Sequence, residues 1–161
     1  MRLNRAEWVY MNDNCIFCQI VNGSSPGHKV WEDENHLAFL SIFPNTKGVT
    51  VLIPKEHHGS YLFDAPENVI TGLVLAAKEV AKKIDIAFED VGRTGLVAEG
   101  FGVDHLHLKL FPLHGTVGDW QKRSSVINDF YKEYPGYISS HDADRADDSE
   151  LALVAEKIKE V

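Results

Sequence analysis

The chain has 161 residues, of which 44% are hydrophobic and 25% charged, so we expect a globular core that folds without disulfides. A formal net charge of −8 disfavours a protein that binds nucleic acid or an acidic membrane surface. No apolar stretch approaches the roughly 18 residues of a membrane span, and the first residues lack the apolar run of a secretory signal. We therefore expect a cytoplasmic protein.

The first half of the chain predicts a short helix followed by three strands. Asp13 or Asn14 can cap the helix, and the Gly- and Ser-rich residues 23–27 end it. Runs of β-branched and aromatic residues, separated by turn residues, predict the strands. The helix is expected over residues 14–21 and the strands over residues 28–33, 36–42 and 48–53.

The second half predicts one long helix and two further strands. The helix, over residues 65–87, has apolar residues at three- and four-residue steps and Asp64 as its cap. Strands over residues 94–99 and 103–111 are joined by Gly100-Phe101-Gly102, which favours a tight antiparallel return. The pattern indicates an α+β fold with one antiparallel five-stranded sheet.

The chain is expected to divide into three parts. Residues 1–13 form an N-terminal extension, residues 14–116 the domain, and residues 117–161 a C-terminal extension. The C-terminal extension carries no recognisable motif and ends in an expected helix over residues 149–161. We expect it to pack on the domain or on a dimer partner.

The segment Asp104-His105-Leu106-His107-Leu108-Lys109-Leu110 indicates chemistry more strongly than any other. Side chains alternate in a strand, so His105, His107 and Lys109 face one way and the leucines face the other. The alternative is a half-buried strand whose polar face meets solvent. Two histidines and a lysine bracketed by leucines favour a functional face.

This segment resembles the signature of the histidine triad family, His-φ-His-φ-His-φ-φ, in which φ is an apolar residue. The resemblance extends over residues 14–112. It includes Cys15-Ile16-Phe17-Cys18, the strand that ends in Ile53-Pro54-Lys55-Glu56-His57, and the helix after it. Any one of these matches alone would be weak, and together they are specific.

The resemblance implies that His107 is a nucleophile that attacks an α-phosphorus and forms a nucleotidyl-histidine. A neutral imidazole suits this role, with one nitrogen attacking while a backbone carbonyl holds the other. The implied activity is hydrolysis of nucleotide phosphoramidates or phosphoanhydrides. A nucleotidyl transferase or phosphorylase, or a non-catalytic metal-stabilised binding module of the same fold, remains the alternative.

Several positions depart from the family pattern. Lys109 stands where the third histidine belongs, and it can neutralise phosphate charge but is a poor proton shuttle near neutral pH. Transferase relatives carry glutamine there. Ser41, Ala98 and Val49 stand where the family usually has aspartate, asparagine and histidine. These departures support the non-catalytic alternative, whereas His107 supports the enzyme.

The resemblance also implies an apolar pocket for the nucleotide base. Apolar residues at such places are at least as often plain core. Gly102 is a separate candidate, because its turn can bring backbone N–H groups to an anion, although glycines often only permit a turn. The pocket residues implied are Ile16, Phe17, Ile20, Phe39 and Ile42.

A second cluster combines Cys15 and Cys18 with His57 and His105. Two cysteines and two histidines are a set of ligands that Zn²⁺ takes in a closed tetrahedral site, and some triad proteins hold zinc at these positions. Free thiols or a redox pair are the alternatives, although no βαβ context surrounds the cysteines. His58 could replace His57. In the zinc interpretation, His105 is a ligand and not a catalyst.

The other histidines have no partner in the sequence pattern. His28, His36 and His141 are expected at the surface, and His114 is expected in a solvent-facing loop rather than at the phosphate site. Relatives in the triad family commonly form two-fold dimers, so the resemblance also implies a homodimer.

Overall fold

The computed structural model describes residues 12–159. Nearly all of the predicted N-terminal extension, and the last two residues of the predicted closing helix, lie outside the described residues. Two compact units are present, divided between Asp119 and Trp120. Within residues 12–159, no helix is long and apolar enough to cross a membrane.

The first unit contains one antiparallel sheet of five strands, in the order β1-β2-β3-β5-β4. This sheet confirms the predicted α+β fold. Short helix α1 precedes it, and long helix α2 connects β3 to β4. The elements of this unit are α1 (Ile16–Asn22), β1 (Lys29–Glu32), β2 (His36–Leu40), β3 (Thr50–Pro54), α2 (Glu67–Ala87), β4 (Thr94–Val97) and β5 (Leu108–Pro112).

Helix α2 and the sheet enclose the main core. The apolar face that the sequence pattern predicted is buried, and it packs with alternate leucines of the segment that leads into β5. Burying each such leucine contributes about 1.5–3 kcal/mol of hydrophobic free energy. The core members include Leu73, Ala77, Val80, Ile84, Leu106, Leu108 and Leu110.

The predicted helix caps are wrong. Helix α1 begins after Cys15, and helix α2 begins after Pro66, with no side-chain capping hydrogen bond at either end. A 3₁₀ turn over Leu62–Asp64 places Asp64 before the helix. The Pro66 carbonyl instead accepts hydrogen bonds from the N–H groups of Val69 and Ile70. Backbone hydrogen bonds, and not a carboxylate, therefore start the helix.

The predicted tight return between the last two strands is also wrong. Strand β4 ends at Val97 and β5 begins at Leu108, so residues 98–107 form a longer connection. The Leu106 N–H donates to the His58 carbonyl at 2.9 Å. His105 and His107 are therefore held partly by the loop after β3, and they precede the regular strand.

The second unit contains helix α3 (Asp148–Lys159) and irregular chain before it. The Tyr131 and Tyr137 hydroxyls lie 2.6 Å apart, and His141 Nε2 donates to the Asp129 carbonyl at 2.8 Å. The predicted closing helix is thus present over the described residues. Its packing on the domain or on a dimer partner stays a prediction.

Candidate active site and metal centre

The His107 imidazole is held in one orientation by the backbone. Its Nδ1 lies 2.6 Å from the carbonyl oxygen of His105. A carbonyl can only accept, so Nδ1 carries the proton and donates, and Nε2 keeps its lone pair. Burial lowers the pKa of His107, which keeps the ring neutral near neutral pH. This is the nucleophilic form that the sequence analysis required.

His107 is 3% exposed, so the alternative of a polar face that meets solvent does not hold for this residue. The Phe17 ring lies edge-on to the His107 ring, with the ring centroids 5.5 Å apart. It makes a second edge-on contact with the Phe39 ring, at 5.3 Å between centroids. The leucines at alternate positions enter the core, so the predicted division of the two faces is confirmed.

The predicted base-pocket residues differ in their exposure to solvent. Ile20 and Phe39 are buried in a second core cluster on the other side of the sheet, with Phe17 packed against it, so the core interpretation accounts for these two. Ile16 is exposed, and Ile42 is 72% exposed in the turn after β2. Of the predicted set, Phe17 alone has a described contact with the His107 ring, and a nucleotide pocket stays a prediction.

Gly102 lies in the loop before His105 with φ of +100°. A side chain there would meet open space, so the loop leaves room beside its backbone. No described contact joins Gly102 to His107, and its role in anion binding stays a prediction.

Lys109 forms an ion pair with Glu99, with Nζ and Oε1 2.5 Å apart. The Lys109 side chain is 31% exposed and that of Glu99 only 11%. The positive charge of Lys109 lowers the pKa of His107, and the negative charge of Glu99 raises it, so the pair lies within electrostatic reach of the nucleophile. The resemblance to the triad signature pointed to Lys109, but its pairing with Glu99 was not predicted.

The pairing of Glu99 with Lys109 could have been predicted from the register of β4 and β5. Val97 pairs with Lys109 across β4 and β5. Glu99, two residues beyond Val97, belongs to the same face in an extended chain and has a side chain long enough to reach the lysine. The expected tight return concealed this relationship.

Cys15, Cys18, His57 and His105 converge, with one ligand atom from each lying within 4.8 Å of all the others. The Cys15 Sγ lies 3.5 Å from His105 Nδ1, and the Cys18 Sγ lies 3.4 Å from His57 Nδ1. The two Nδ1 atoms are 3.2 Å apart. A tetrahedron built on Zn–N and Zn–S bonds of about 2.0–2.3 Å has edges of about 3.3–3.8 Å, so these residues fit a zinc ion.

The surroundings of the cluster favour a metal over redox chemistry. His105 Nε2 donates to the Pro54 carbonyl at 2.9 Å, which directs Nδ1 at the cysteines as in metal-bound imidazoles. Burial lowers the pKa of His105 to about 4, so the ring is neutral and able to bind a metal. Burial raises the pKa of the Cys18 thiol, whereas reactive redox thiols have lowered values.

The remaining histidines have structural contacts. His36 is buried against Asp33, with Nδ1 and Oδ1 3.0 Å apart, so its expected surface position is wrong. His114 lies between Asp90, at 3.0 Å from Nδ1, and the Lys47 carbonyl, at 2.8 Å from Nε2. Both nitrogens of His114 are therefore engaged away from His107.

A surface cavity of about 280 Å³ lies beside the loop after β3, and its lining includes His58, Ser60, Tyr61 and Asp104. The Asp104 carboxylate accepts from the Ser60 N–H at 2.9 Å, which lowers the pKa of Asp104. This carboxylate fixes the loop that carries Leu106 and His107. The cavity is separate from the His107 ring.

Comparison with known proteins finds matches to the part of the chain that contains the sheet and the histidine segment. A family model described as HIT domain matches residues 22–116. An uncharacterized HIT-like protein of Methanocaldococcus jannaschii is 36% identical over 118 residues, which are 71% of this chain and 90% of that protein. An adenosine 5'-monophosphoramidase of Saccharomyces cerevisiae is 35% identical over 99 residues, covering 61% of each.

Solved structures agree with this fold. A Streptococcus mutans protein superimposes with a TM-score of 0.64 at 29% identity, covering 96% of this chain and 88% of its own. A HIT family member from Bacillus subtilis gives a TM-score of 0.62 at 28% identity, covering 92% and 96%. The sheet, the histidine segment and these matches together place the chain in the histidine triad (HIT) family.

Proposed function

We propose that this protein is a nucleotide hydrolase that cleaves phosphoramidate or phosphoanhydride bonds through a nucleotidyl-histidine on His107. The observation that carries the proposal is the 2.6 Å hydrogen bond from His107 Nδ1 to the His105 carbonyl, because it leaves Nε2 as a directed nucleophile. Membership of the HIT family and its relatives named adenosine 5'-monophosphoramidase support it.

The reaction proceeds in two displacements. In the first, the Nε2 lone pair forms an N–P bond to the α-phosphorus, and the bond to the leaving group breaks. Its electron pair goes to a phosphate oxygen, or to an amine nitrogen that takes up a proton from water. The positive charge that develops on the imidazole is stabilised by the carbonyl at Nδ1. In the second, a water oxygen bonds to phosphorus, the N–P electron pair returns to Nε2, and a water proton is released.

Cys15, Cys18, His57 and His105 would hold a structural zinc ion. When bound, zinc would supply rigidity to this cluster rather than take part in phosphoryl transfer. His105 links the cluster to the nucleophile, since its ring belongs to the cluster while its carbonyl accepts from His107. Fixing the His105 ring therefore fixes the acceptor that orients the nucleophile.

Lys109 is proposed as the second catalytic residue, in the place of a third histidine, where its ammonium can neutralise phosphate charge. Ile16, Phe17 and Ile42 are the residues we propose for contact with the base, and Gly102 for contact with phosphate. A homodimer, a cytoplasmic location and a domain over residues 14–116 remain predictions.

The adduct itself provides the test. Wild type and His107→Ala are incubated with radiolabelled adenosine 5'-phosphoramidate and with diadenosine triphosphate, and an acid-labile adenylyl-protein is measured after rapid quenching. We expect the adduct and turnover in wild type and in the exposed-histidine control His28→Ala, and neither in His107→Ala. Equal turnover in the His107 variant and wild type would refute the proposal.

A non-catalytic binding module is the second candidate. The observation that favours it is the 3% exposure of His107, which limits the access of an α-phosphorus to the imidazole. In this case both nucleotides would bind by calorimetry, and neither would label or turn over. The same preparation therefore separates the two functions.

A further inference from the structure

Glu99, the ion-pair partner of Lys109, has no role in the displacement described above. Glu99 lies in the segment that follows β4, and Lys109 lies within β5. Their charged atoms are 2.5 Å apart. Glu99 is largely buried, and a buried carboxylate is stable only when it is paired. Lys109 follows His107 by two residues, so the two side chains belong to the same face of the extended chain, and both charges of the pair act on the His107 ring.

The backbone after Glu99 is fixed by a position that only glycine fits. Gly100 has φ of +77°, in the left-handed region. A Cβ there would lie 2.8 Å from the Ser60 carbonyl oxygen. The chain therefore turns immediately after Glu99, against the loop that precedes the histidine segment, and this turn directs the carboxylate to Lys109.

We propose that Glu99 is a positioning residue that holds the Lys109 ammonium as a fixed charge for an anionic leaving group, so that the site selects phosphoanhydrides over phosphoramidates. This inference rests on the proposed function and names its substrate class. The two substrate classes differ in what their leaving groups require.

A phosphate that leaves the α-phosphorus takes the electron pair of the P–O bond onto an oxygen. No proton is needed, and an oriented cation stabilises the developing charge. An amine can leave only after its nitrogen gains a proton from a general acid. A lysine ammonium retains its proton near neutral pH, whereas a histidine imidazolium gives it up readily. Lys109 therefore provides positive charge without providing a proton.

The test uses two leaving-group series on wild type, Glu99→Gln, Glu99→Asp and Lys109→His. The first pair of substrates is diadenosine triphosphate and adenosine 5'-phosphoramidate, compared by kcat/KM. The second series consists of aryl esters of adenosine 5'-monophosphate whose phenols differ in acidity. Glu32→Gln is the matched control. The Glu32 Oε1 and the Lys55 Nζ lie 2.7 Å apart, and this ion pair does not involve His107.

We expect wild type to prefer the phosphoanhydride by at least roughly tenfold, and Lys109→His to narrow that preference by a similar factor because it restores a proton donor. Glu99→Gln should lower kcat most for the least acidic phenols, which steepens the dependence of rate on leaving-group acidity. Glu99→Asp should restore part of this loss. The Glu32 control should behave as wild type.

A loss in Glu99→Gln by the same factor for every phenol would indicate a merely structural role and would overturn the inference. So would a wild-type preference for the phosphoramidate. Thermal unfolding of each variant, with zinc present, identifies misfolded protein, and Lys109→His then supplies the independent measurement. Turnover that is unaffected by His107→Ala would instead show that the proposed function has failed.

Discussion

Leu106 connects the core to the nucleophile, because it lies between His105 and His107 and its side chain is fully buried. Leu106→Ala removes three carbons, worth about 0.8 kcal/mol for each buried methylene, and leaves a cavity whose cost is added. We expect a loss of about 3 kcal/mol in the free energy of unfolding, within the range measured for buried leucines. This loss changes the folded-to-unfolded ratio by roughly 150-fold.

The matched control is Leu113→Ala, since Leu113 follows β5 and its side chain is 39% exposed. Equilibrium urea unfolding followed by far-ultraviolet circular dichroism, with zinc present, measures both variants. The Leu106 variant should unfold thermally about 6–12 °C below wild type, and the control should lose less than about 1 kcal/mol. Equal losses in the two variants would refute the packing argument.

The Leu106 variant also tests the link between packing and chemistry. Its N–H bond to the His58 carbonyl involves only backbone atoms, so the folded fraction should keep the path of the chain. At a temperature where the variant is fully folded, we expect kcat to fall because the cavity loosens the adjacent His107 ring. An unchanged kcat would show that two hydrogen bonds are sufficient to position the His107 ring: the one from the Leu106 N–H to the His58 carbonyl, and the one from His107 Nδ1 to the His105 carbonyl.

Three further predictions concern the metal cluster, the aromatic contact and pH. Cys15→Ser should lower zinc content from close to one ion per chain, measured by elemental analysis, and metal-free wild type that is well folded would contradict the cluster's assignment. Phe17→Ala should raise KM for nucleotide more than it lowers kcat, and the reverse split would assign Phe17 to packing alone. The Lys47 carbonyl and the Asp90 carboxylate raise the pKa of His114. The stability contributed by His114 is therefore complete below its unfolded pKa of about 6.5 and lost as pH rises through its folded pKa, so wild type and His114→Gln should differ in urea unfolding at pH 6 and converge at pH 9.

Local sequence patterns predicted most of the scaffold. The alternation of leucine with polar residues predicted which side chains enter the core, because successive residues of an extended chain face opposite sides. The apolar spacing of α2 predicted its buried face for the analogous reason in a helix. Those periodicities depend on backbone geometry alone, so they can be read without knowing what each face contacts.

The boundaries of elements could not be predicted as well. Asp64 has the chemistry of a helix cap, but a 3₁₀ turn places it before the helix. Gly100-Phe101-Gly102 has the composition of a tight return, but the chain between β4 and β5 instead bonds to the loop after β3. The first case follows from local hydrogen bonds of the 3₁₀ turn, such as that from the Asp64 N–H to the Tyr61 carbonyl. In the second, a distant backbone contact outweighs the local preference of the residues.

The sequence by itself determined the residue types of the candidate site: two cysteines and two histidines for a metal, and one histidine for the nucleophile. Only the tertiary structure decided which atoms face each other. It directs the His107 Nδ1 to a carbonyl and the Lys109 ammonium to Glu99. A hydrogen bond or ion pair forms only where the two atoms are placed to within a few tenths of an ångström. That placement follows from packing rather than from spacing along the sequence.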